Sequence, residues 1–152
     1  MSIHTINSQR ALNIDPEGVE RLVRSFLNWK NVGYDEVVIH LIDKGAISRL
    51  HKEYLKDPTP TDCLSFPIDL PDEPSDGYSV LGEVFVCPEV AIDYVHENGG
   101  NVYRETTLYI IHGLLHLLGY DDRDDKSRST MRAQEKSAML YLERNKEILD
   151  GV

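Results

Sequence analysis

At 152 residues with a net charge of −10, the chain is most simply one soluble domain. Its acidity argues against general attraction to polyanions but does not exclude nucleic acid, because a local basic patch can still form. Hydrophobic residues make up 41% and charged residues 28%, which is ordinary globular composition. No apolar run reaches the length of a membrane span, the first residues lack a signal-peptide core, and Cys63 and Cys87 give no disulfide framework. A cytoplasmic protein without membrane contact is expected.

Hydrophobic periodicity, capping residues and turn residues predict four strands and five helices. In chain order these are a strand over Ile3–Ile6, a helix from Asp15-Pro16 to near Trp29, a strand over Val37–Ile42, a helix from Asp43 to about Tyr54, a strand over Thr61–Phe66, a strand over Val80–Val86, a helix from Pro88 toward His96, a helix over Val102–Leu118 and a last helix over about Lys126–Ile148. The helix after Asp43 is expected to bury Ile47, Leu50 and Tyr54.

Residues 68–78 are rich in proline, aspartate and glycine, so we expect a surface loop there. Its acidic residues are Asp69, Asp72, Glu73 and Asp76. They lack the spacing of a calcium-binding loop, which favours a solvated turn over a cation site.

The helix predicted over Val102–Leu118 is apolar on nearly all sides, which is typical of a helix in the centre of a fold. Asn101 can cap it after the break at Gly99-Gly100. Because strands and helices are interleaved, we expect a single α+β domain over residues 1–152. It would have one mixed sheet of four strands and about five helices packed on it, with this helix central.

The same helix carries two histidines in the segment His112-Gly-Leu-Leu-His116-Leu-Leu-Gly119-Tyr-Asp-Asp122. Side chains four residues apart share one face of a helix. Gly119 can take the left-handed conformation that ends a helix, after which the chain folds back and presents Asp122. Two imidazoles and a carboxylate make a three-ligand site, which is typical of catalytic zinc because the fourth tetrahedral position stays open.

A pair of histidines four apart is weak evidence alone, since such a pair on an apolar helix is often two hydrogen-bonded core side chains. The complete pattern is more specific, because its offsets and its glycine match the extended zinc-protease signature H-E-x-x-H-x-x-G-x-x-H. Gly113 replaces the glutamate that serves those proteases as general base. The sequence therefore predicts a metal-dependent hydrolase that is not a peptidase.

Lysine and arginine gather in two places, and most are expected on solvated helix surfaces. The two groups are Arg49, Lys52 and Lys56, and then Arg123, Lys126, Arg128, Arg132 and Lys136. Arg123 follows the predicted ligand Asp122 directly, so it is the best placed of them to contact an anionic substrate. Ser65, in a predicted strand, is expected to bond to backbone rather than to act in a site.

Three segments resemble the YbeY family of bacterial metal-dependent endoribonucleases: residues 54–67 (YLKDPTPTDCLSFP), 81–88 (LGEVFVCP) and 112–122 (HGLLHLLGYDD). Met131 and Glu135 also stand where that family has Met and Glu in its last helix. The resemblance implies a single-strand-specific endoribonuclease that acts in ribosomal RNA maturation, at the 3′ end of 16S rRNA, and in ribosome quality control. Single-stranded RNA and the ribosome would be its partners.

Two positions depart from the family pattern. Asp122 stands where the family usually has a third histidine, with Asp121, Asp124 and Asp125 as nearby alternatives. A carboxylate removes one unit of charge from the metal centre and makes metal-bound water less acidic. It also shifts the preference toward harder ions, so a single Zn²⁺ ion is expected and Mn²⁺ or Fe²⁺ is the alternative. Leu55 stands where many members have arginine, and the following Lys56 can supply only the charge of that side chain.

Lys56 and Arg123 are therefore the candidate substrate contacts, and no residue is identified as the general base. Two other functions stay open on the sequence. One is a non-catalytic ribosome-associated factor in which a metal holds the fold, and the other is a metal hydrolase that acts on another phosphoester or an amide.

Overall fold

The structure, a computed structural model, describes residues 2–70 and 77–151. Its elements are β1 (Ser2–Asn7), α1 (Pro16–Trp29), β2 (Glu36–Leu41), α2 (Lys44–Leu55), β3 (Cys63–Pro67), β4 (Val80–Val86), α3 (Pro88–Asn98), α4 (Val102–Leu117) and α5 (Asp125–Arg144). The four strands and five helices expected from the sequence are therefore found in the predicted order. Of the predicted surface loop, the part with Asp72, Glu73 and Asp76 lies outside the described residues.

The four strands form one mixed sheet in the order β1-β2-β4-β3. β1 and β2 are parallel, as are β2 and β4, whereas β3 is antiparallel to β4. Parallel neighbours need a crossover connection, and α1 supplies it between β1 and β2. The prediction of a single α+β domain with a mixed four-stranded sheet is confirmed.

The helix α4 lies in the centre of the molecule. It packs across β3 and β4, with α3 and α5 beside it. Its fully buried large side chains are Ile110, Ile111, Leu114, Leu115 and Leu117. Because this helix is enclosed by a sheet and two helices, a residue on it has little freedom to move, and side chains at its carboxyl end are held on a rigid support.

Capping side chains fix where the helices begin. Asp15 accepts a hydrogen bond from the backbone N–H of Glu17, Asp43 from that of Ala46, and Asn101 from those of Tyr103 and Arg104. Each satisfies backbone donors that have no partner within the helix. The three predicted helix starts are confirmed.

The predicted burial of Tyr54 is wrong. The side chain is 58% exposed, and its ring meets that of Phe66 edge to face, 4.9 Å between centroids. Ile47 is buried as predicted, whereas Leu50 is only half-buried and packs against the cluster that contains Ile47. The reason is the position of α2 at the side of the sheet. A single buried side chain anchors this helix, so its last turn projects toward solvent.

The last helix ends at Arg144 and not near Ile148 as predicted. Lys146 has a left-handed backbone (φ 57°), which turns the chain back. The backbone N–H of Leu149 then donates to Thr107 Oγ1 on α4 (3.2 Å), and the Leu149 side chain is buried. The apolar residues that extended the helical pattern belong to this returning segment.

No helix among the described residues combines the length and the apolar character that crossing a bilayer requires.

Candidate metal centre

The carboxyl end of α4 turns sharply at Gly119, as the sequence predicts. The φ angle of Gly119 is 99°, a backbone value that residues with a Cβ rarely adopt. The N–H of Gly119 bonds to the carbonyl of His116, and the N–H of Tyr120 reaches back to that of Leu115, each at 3.1 Å. This pair of bonds is the Schellman termination of a helix, and it sends the chain back along the helix end.

A second contact holds the returning loop in place. Lys30, at the carboxyl end of α1, donates to the hydroxyl of Tyr120 (2.9 Å) and to Oε1 of Gln134 on α5 (2.6 Å). The Lys30 ammonium also lies 4.9 Å from the centre of the Tyr120 ring. One cation therefore connects α1, the loop and α5, which fixes the path of the residues after Tyr120.

His112, His116 and Asp122 converge at this turn. The Nε2 atoms of the two histidines are 3.1 Å apart, and Asp122 Oδ2 lies 3.7 Å from the first and 3.8 Å from the second. Ligands of a tetrahedral zinc ion at 2.0–2.1 Å are separated by about 3.4 Å. The three donor atoms lie near that separation, so this donor set fits one small divalent cation.

The other aspartates of the loop have different contacts. Asp124 caps α5 by accepting from the N–H of Ser127, and Asp125 pairs with Arg128. Asp121 accepts from the N–H of Arg123 (3.4 Å). Asp122 is the aspartate that the structure brings beside both imidazoles.

Glu135 on α5 orients one of the imidazoles. Its Oε2 lies 2.8 Å from Nδ1 of His112, and both side chains are mostly shielded from solvent. Because an ionised carboxylate only accepts hydrogen bonds, Nδ1 carries a proton, and in the neutral ring Nε2 then keeps its lone pair. A carboxylate behind a histidine ligand is the usual arrangement at metal sites, where it fixes the tautomer and the plane of the ring.

The two imidazoles have opposite pKa shifts. Burial lowers the pKa of His112, but the hydrogen bond and charge of Glu135, with the charges of Asp62 and Asp122, outweigh burial and leave it raised. At His116, burial and the neighbouring His112 both act to lower the pKa. The environment of His116 therefore favours the neutral form, the one that binds a cation.

Gly113 faces the sheet and not the ligands. A Cβ at this position would lie 2.4 Å from Val84 Cγ1, 3.1 Å from Cys63 Sγ and 3.2 Å from Ser65 Oγ. The Ser65 hydroxyl donates to the Gly113 carbonyl (2.9 Å), so this serine bonds to backbone as predicted. Close packing of α4 on β3 and β4 thus explains why the protease glutamate is missing from this signature.

A cleft of about 240 Å³ opens beside the triad. Among the residues that line this metal cleft are Asp62, Glu105, Leu108, His112, Asp122, Arg128, Arg132 and Glu135. Arg128 and Arg132 are exposed, as expected of a solvated helix, but they also face the cleft, which the sequence did not indicate. The guanidinium of Arg128 reaches the carbonyl of Asp122 (3.4 Å).

Lys56 and Arg123, the substrate contacts predicted from the sequence, do not line the metal cleft. Lys56 ends α2 with a left-handed backbone (φ 57°), and Arg123 is exposed beside Asp122. The residues that sequence reasoning missed are Asp62 and the two arginines of α5. A spacing of four between Arg128 and Arg132 was the available signal, since it places both on one helix face.

The two cysteines are not among the ligand atoms. Both are free, and burial raises the pKa of each thiol above its usual value. Cys87 packs with Ile42 and Ile47, while Cys63 contacts the main core. They behave as small apolar residues, as predicted.

Comparisons with known proteins agree on one family. A family model described as "Endoribonuclease YbeY" matches residues 4–143. A protein of that name from Protochlamydia amoebophila is 41% identical over 142 residues, which is 93% of this chain and 93% of that protein. Another from Chlamydia muridarum is 39% identical over 144 residues, covering 94% of this chain and 89% of that one.

A solved structure extends the likeness to the fold. The solution structure of a protein from Thermotoga maritima superposes with a TM-score of 0.64 at 26% identity, and the match covers 93% of this chain and 89% of that chain.

Proposed function

The chain belongs to the YbeY family of endoribonucleases and is a hydrolase that acts on RNA, and we propose that it cleaves single-stranded RNA with one metal ion held by His112, His116 and Asp122. The observation that carries the proposal is the convergence of these three donor atoms at the end of a buried helix. A partly exposed three-ligand site leaves room for a substrate oxygen, which a closed four-ligand structural site does not.

When bound, the cation would activate a water molecule and polarise a phosphoryl oxygen. The chain supplies the remaining functions. Glu135 holds His112 in the tautomer that keeps Nε2 free. Arg128 and Arg132 place two guanidinium groups in the metal cleft, where they can bind a phosphate in the bidentate geometry that lysine lacks. Gly113 keeps α4 against the sheet, so the two histidines stay at fixed positions.

Several finer points belong to the same proposal. Zn²⁺ is the expected ion, and the carboxylate of Asp122 makes Mn²⁺ or Fe²⁺ competitive. The family suggests ribosomal RNA as the substrate, with cleavage near the 3′ end of 16S rRNA, and the ribosome as a partner in the cytoplasm. Lys56 and Arg123 remain candidate contacts for RNA outside the cleft. Their positions beyond its lining suit phosphates farther from the reacting bond.

Metal-dependent RNA cleavage is the direct test of the proposal. We expect protein loaded with Zn²⁺ or Mn²⁺ to cut single-stranded RNA, and we expect chelation to stop the reaction and re-addition of metal to restore it. A duplex of the same sequence should be cut far more slowly, and unfolded casein should stay intact. Equal survival of RNA in the loaded and chelated samples would refute nuclease activity.

Asp122 is the ligand that distinguishes this chain from the usual family pattern, so it has its own test. Asp122→Ala should weaken metal binding by more than about tenfold, because it removes one of three ligands. Asp122→His restores a nitrogen donor and should retain binding. Isothermal titration calorimetry with Zn²⁺ measures both. If Asp122→Ala binds the metal as tightly as the parent, another residue is the third ligand.

A further inference from the structure

A second and larger cavity adjoins the metal cleft. This apolar groove has a volume of about 420 Å³, within the roughly 300–1,000 Å³ range of pockets that hold small ligands. Its apolar walls are Val95 on α3, Leu108 on α4, and Met139 and Leu140 on α5. Leu140 is 43% exposed, so part of this apolar wall is open to solvent.

The groove and the metal cleft are continuous. Glu105, Leu108 and Glu135 line both cavities. Glu135 is also the residue that bonds to His112, so one end of the groove lies a single side chain away from a proposed metal ligand. A molecule whose reacting atom lies at the triad can therefore extend into the groove.

The cations of α5 follow the same path. Arg132 lines the metal cleft and Lys136, one turn later, lines the groove. Residues four apart on a helix lie about 6 Å apart along its axis, on one face. Among residues 2–70 and 77–151, neither side chain takes part in an ion pair. Two unpaired cations thus border a path from the triad to the groove.

Other charges near the groove are already engaged. Arg104, which also lines it, pairs with Glu143 on α5. Glu105 lies at the boundary of the two cavities and bonds to Tyr109. Glu135, the second carboxyl group of the groove, bonds to His112. The combination of apolar walls, carboxyl acceptors and two available cations matches a nucleotide, which has an apolar ring face, N–H donors and a phosphate.

We propose that the apolar groove holds an unpaired base of the RNA, next to the bond that is cut, while Arg132 and Lys136 bind the adjacent phosphates. The inference rests on the proposed function and specifies its substrate more closely. A base can enter the groove only if it has no pairing partner, so the groove itself would exclude duplex RNA. Groups that stack on or enclose a base typically contribute about tenfold or more to binding.

Combining variants of the groove with RNA that lacks single bases tests the groove. The probes are a short fluorescein-labelled single-stranded RNA and a series of the same RNA with one abasic nucleotide placed at each position around the mapped cleavage site. We expect one abasic position to lower kcat/KM of the parent by about tenfold. Leu140→Gln should lower kcat/KM on the intact RNA by a similar factor and should be insensitive to the abasic nucleotide at that position.

The phosphate contact has a different signature. Lys136→Ala should raise KM for every RNA in the series to a similar extent and leave kcat unchanged. It should also reduce the slope of log RNA affinity against log salt concentration by about 1. Arg144→Ala on the same helix and Ile6→Thr on β1 are the matched controls, because neither residue lines either cavity. Val95→Gln changes the opposite wall and repeats the Leu140 test should that variant fold poorly.

The outcomes separate the two proposals. The groove proposal is overturned if no abasic position matters, or if Leu140→Gln and Val95→Gln remain as sensitive to the abasic nucleotide as the parent. Fluorescence anisotropy in EDTA measures RNA binding without cleavage. A parent that binds RNA with the same dependence on one base, yet never cuts it with metal present, would support the groove and refute the proposed nuclease.

Discussion

His116→Ala loses the metal ion and, with it, RNA cleavage. Changing the partner of a metal ligand typically costs 10-fold to 100-fold in affinity, so loss of a ligand itself should exceed about 100-fold. The two remaining donors, His112 and Asp122, cannot surround the cation alone. Elemental analysis of the purified variant and kcat/KM on single-stranded RNA measure the two effects, which should fall together.

The same variant distinguishes a catalytic ion from a structural one. His116 is partly exposed at the end of α4, and alanine is a good helix former, so the metal-free variant should melt within a few degrees of the metal-free parent. His4→Ala, a change on β1 away from the triad, is the matched control and should keep metal and activity. If the parent without metal is already unfolded, the ion holds the fold. That result would favour the alternative of a non-catalytic factor with a structural metal.

Gly113→Ala destabilises the protein, although the same change usually stabilises a helix. The new methyl group would lie 2.4 Å from Val84 Cγ1. Val84 is fully buried and β-branched, so α4 must move away from the sheet. Overpacking of this kind costs about 1–3 kcal/mol, against a gain of up to about 1 kcal/mol in helix propensity. Equilibrium unfolding in urea of the metal-free protein measures the difference.

Gly45→Ala is the matched control for this prediction. It makes the same change in α2, where the nearest atoms are 3.4 Å away, on the side chains of Arg49 and Asp43. The free energy of unfolding should stay the same or rise. Gly113→Glu introduces the glutamate of the protease signature and should fail to fold. It adds a buried carboxylate to the steric clash with Val84. A stable Gly113→Ala variant would contradict the close packing of α4 on β4.

Local sequence signals account for most of the fold. Caps such as Asp15, Asp43 and Asn101 act within a few residues, and the glycine at 119 encodes a turn that its neighbours alone determine. The errors arose where tertiary packing decides. Tyr54 continues an apolar pattern on a helix that has little sheet to pack against, and Ile148 continues the pattern of α5 after a turn at Lys146 has ended it.

The part of the site that depends on local spacing was also predictable from the sequence. His112, His116 and Asp122 are brought together by helix periodicity and one turn, so their spacing along the chain carries the information. The bond from Glu135 to His112 spans 23 residues and depends on how α5 packs against α4. The facing of Arg132 toward the cleft depends on the same packing. The spacing of Arg128 and Arg132 shows only that they share one helix face, and the resemblance had marked Glu135 without identifying its partner.

The position of the triad late in the chain has a consequence for biosynthesis. The sheet that supports α4 is complete at Val86, whereas Glu135 and the arginines of the cleft belong to α5. A polypeptide released prematurely after Asp122 would contain all three donor atoms, but it would lack the carboxylate that orients His112 and one wall of the cleft. The metal cleft is therefore complete only when the chain has been made as far as α5.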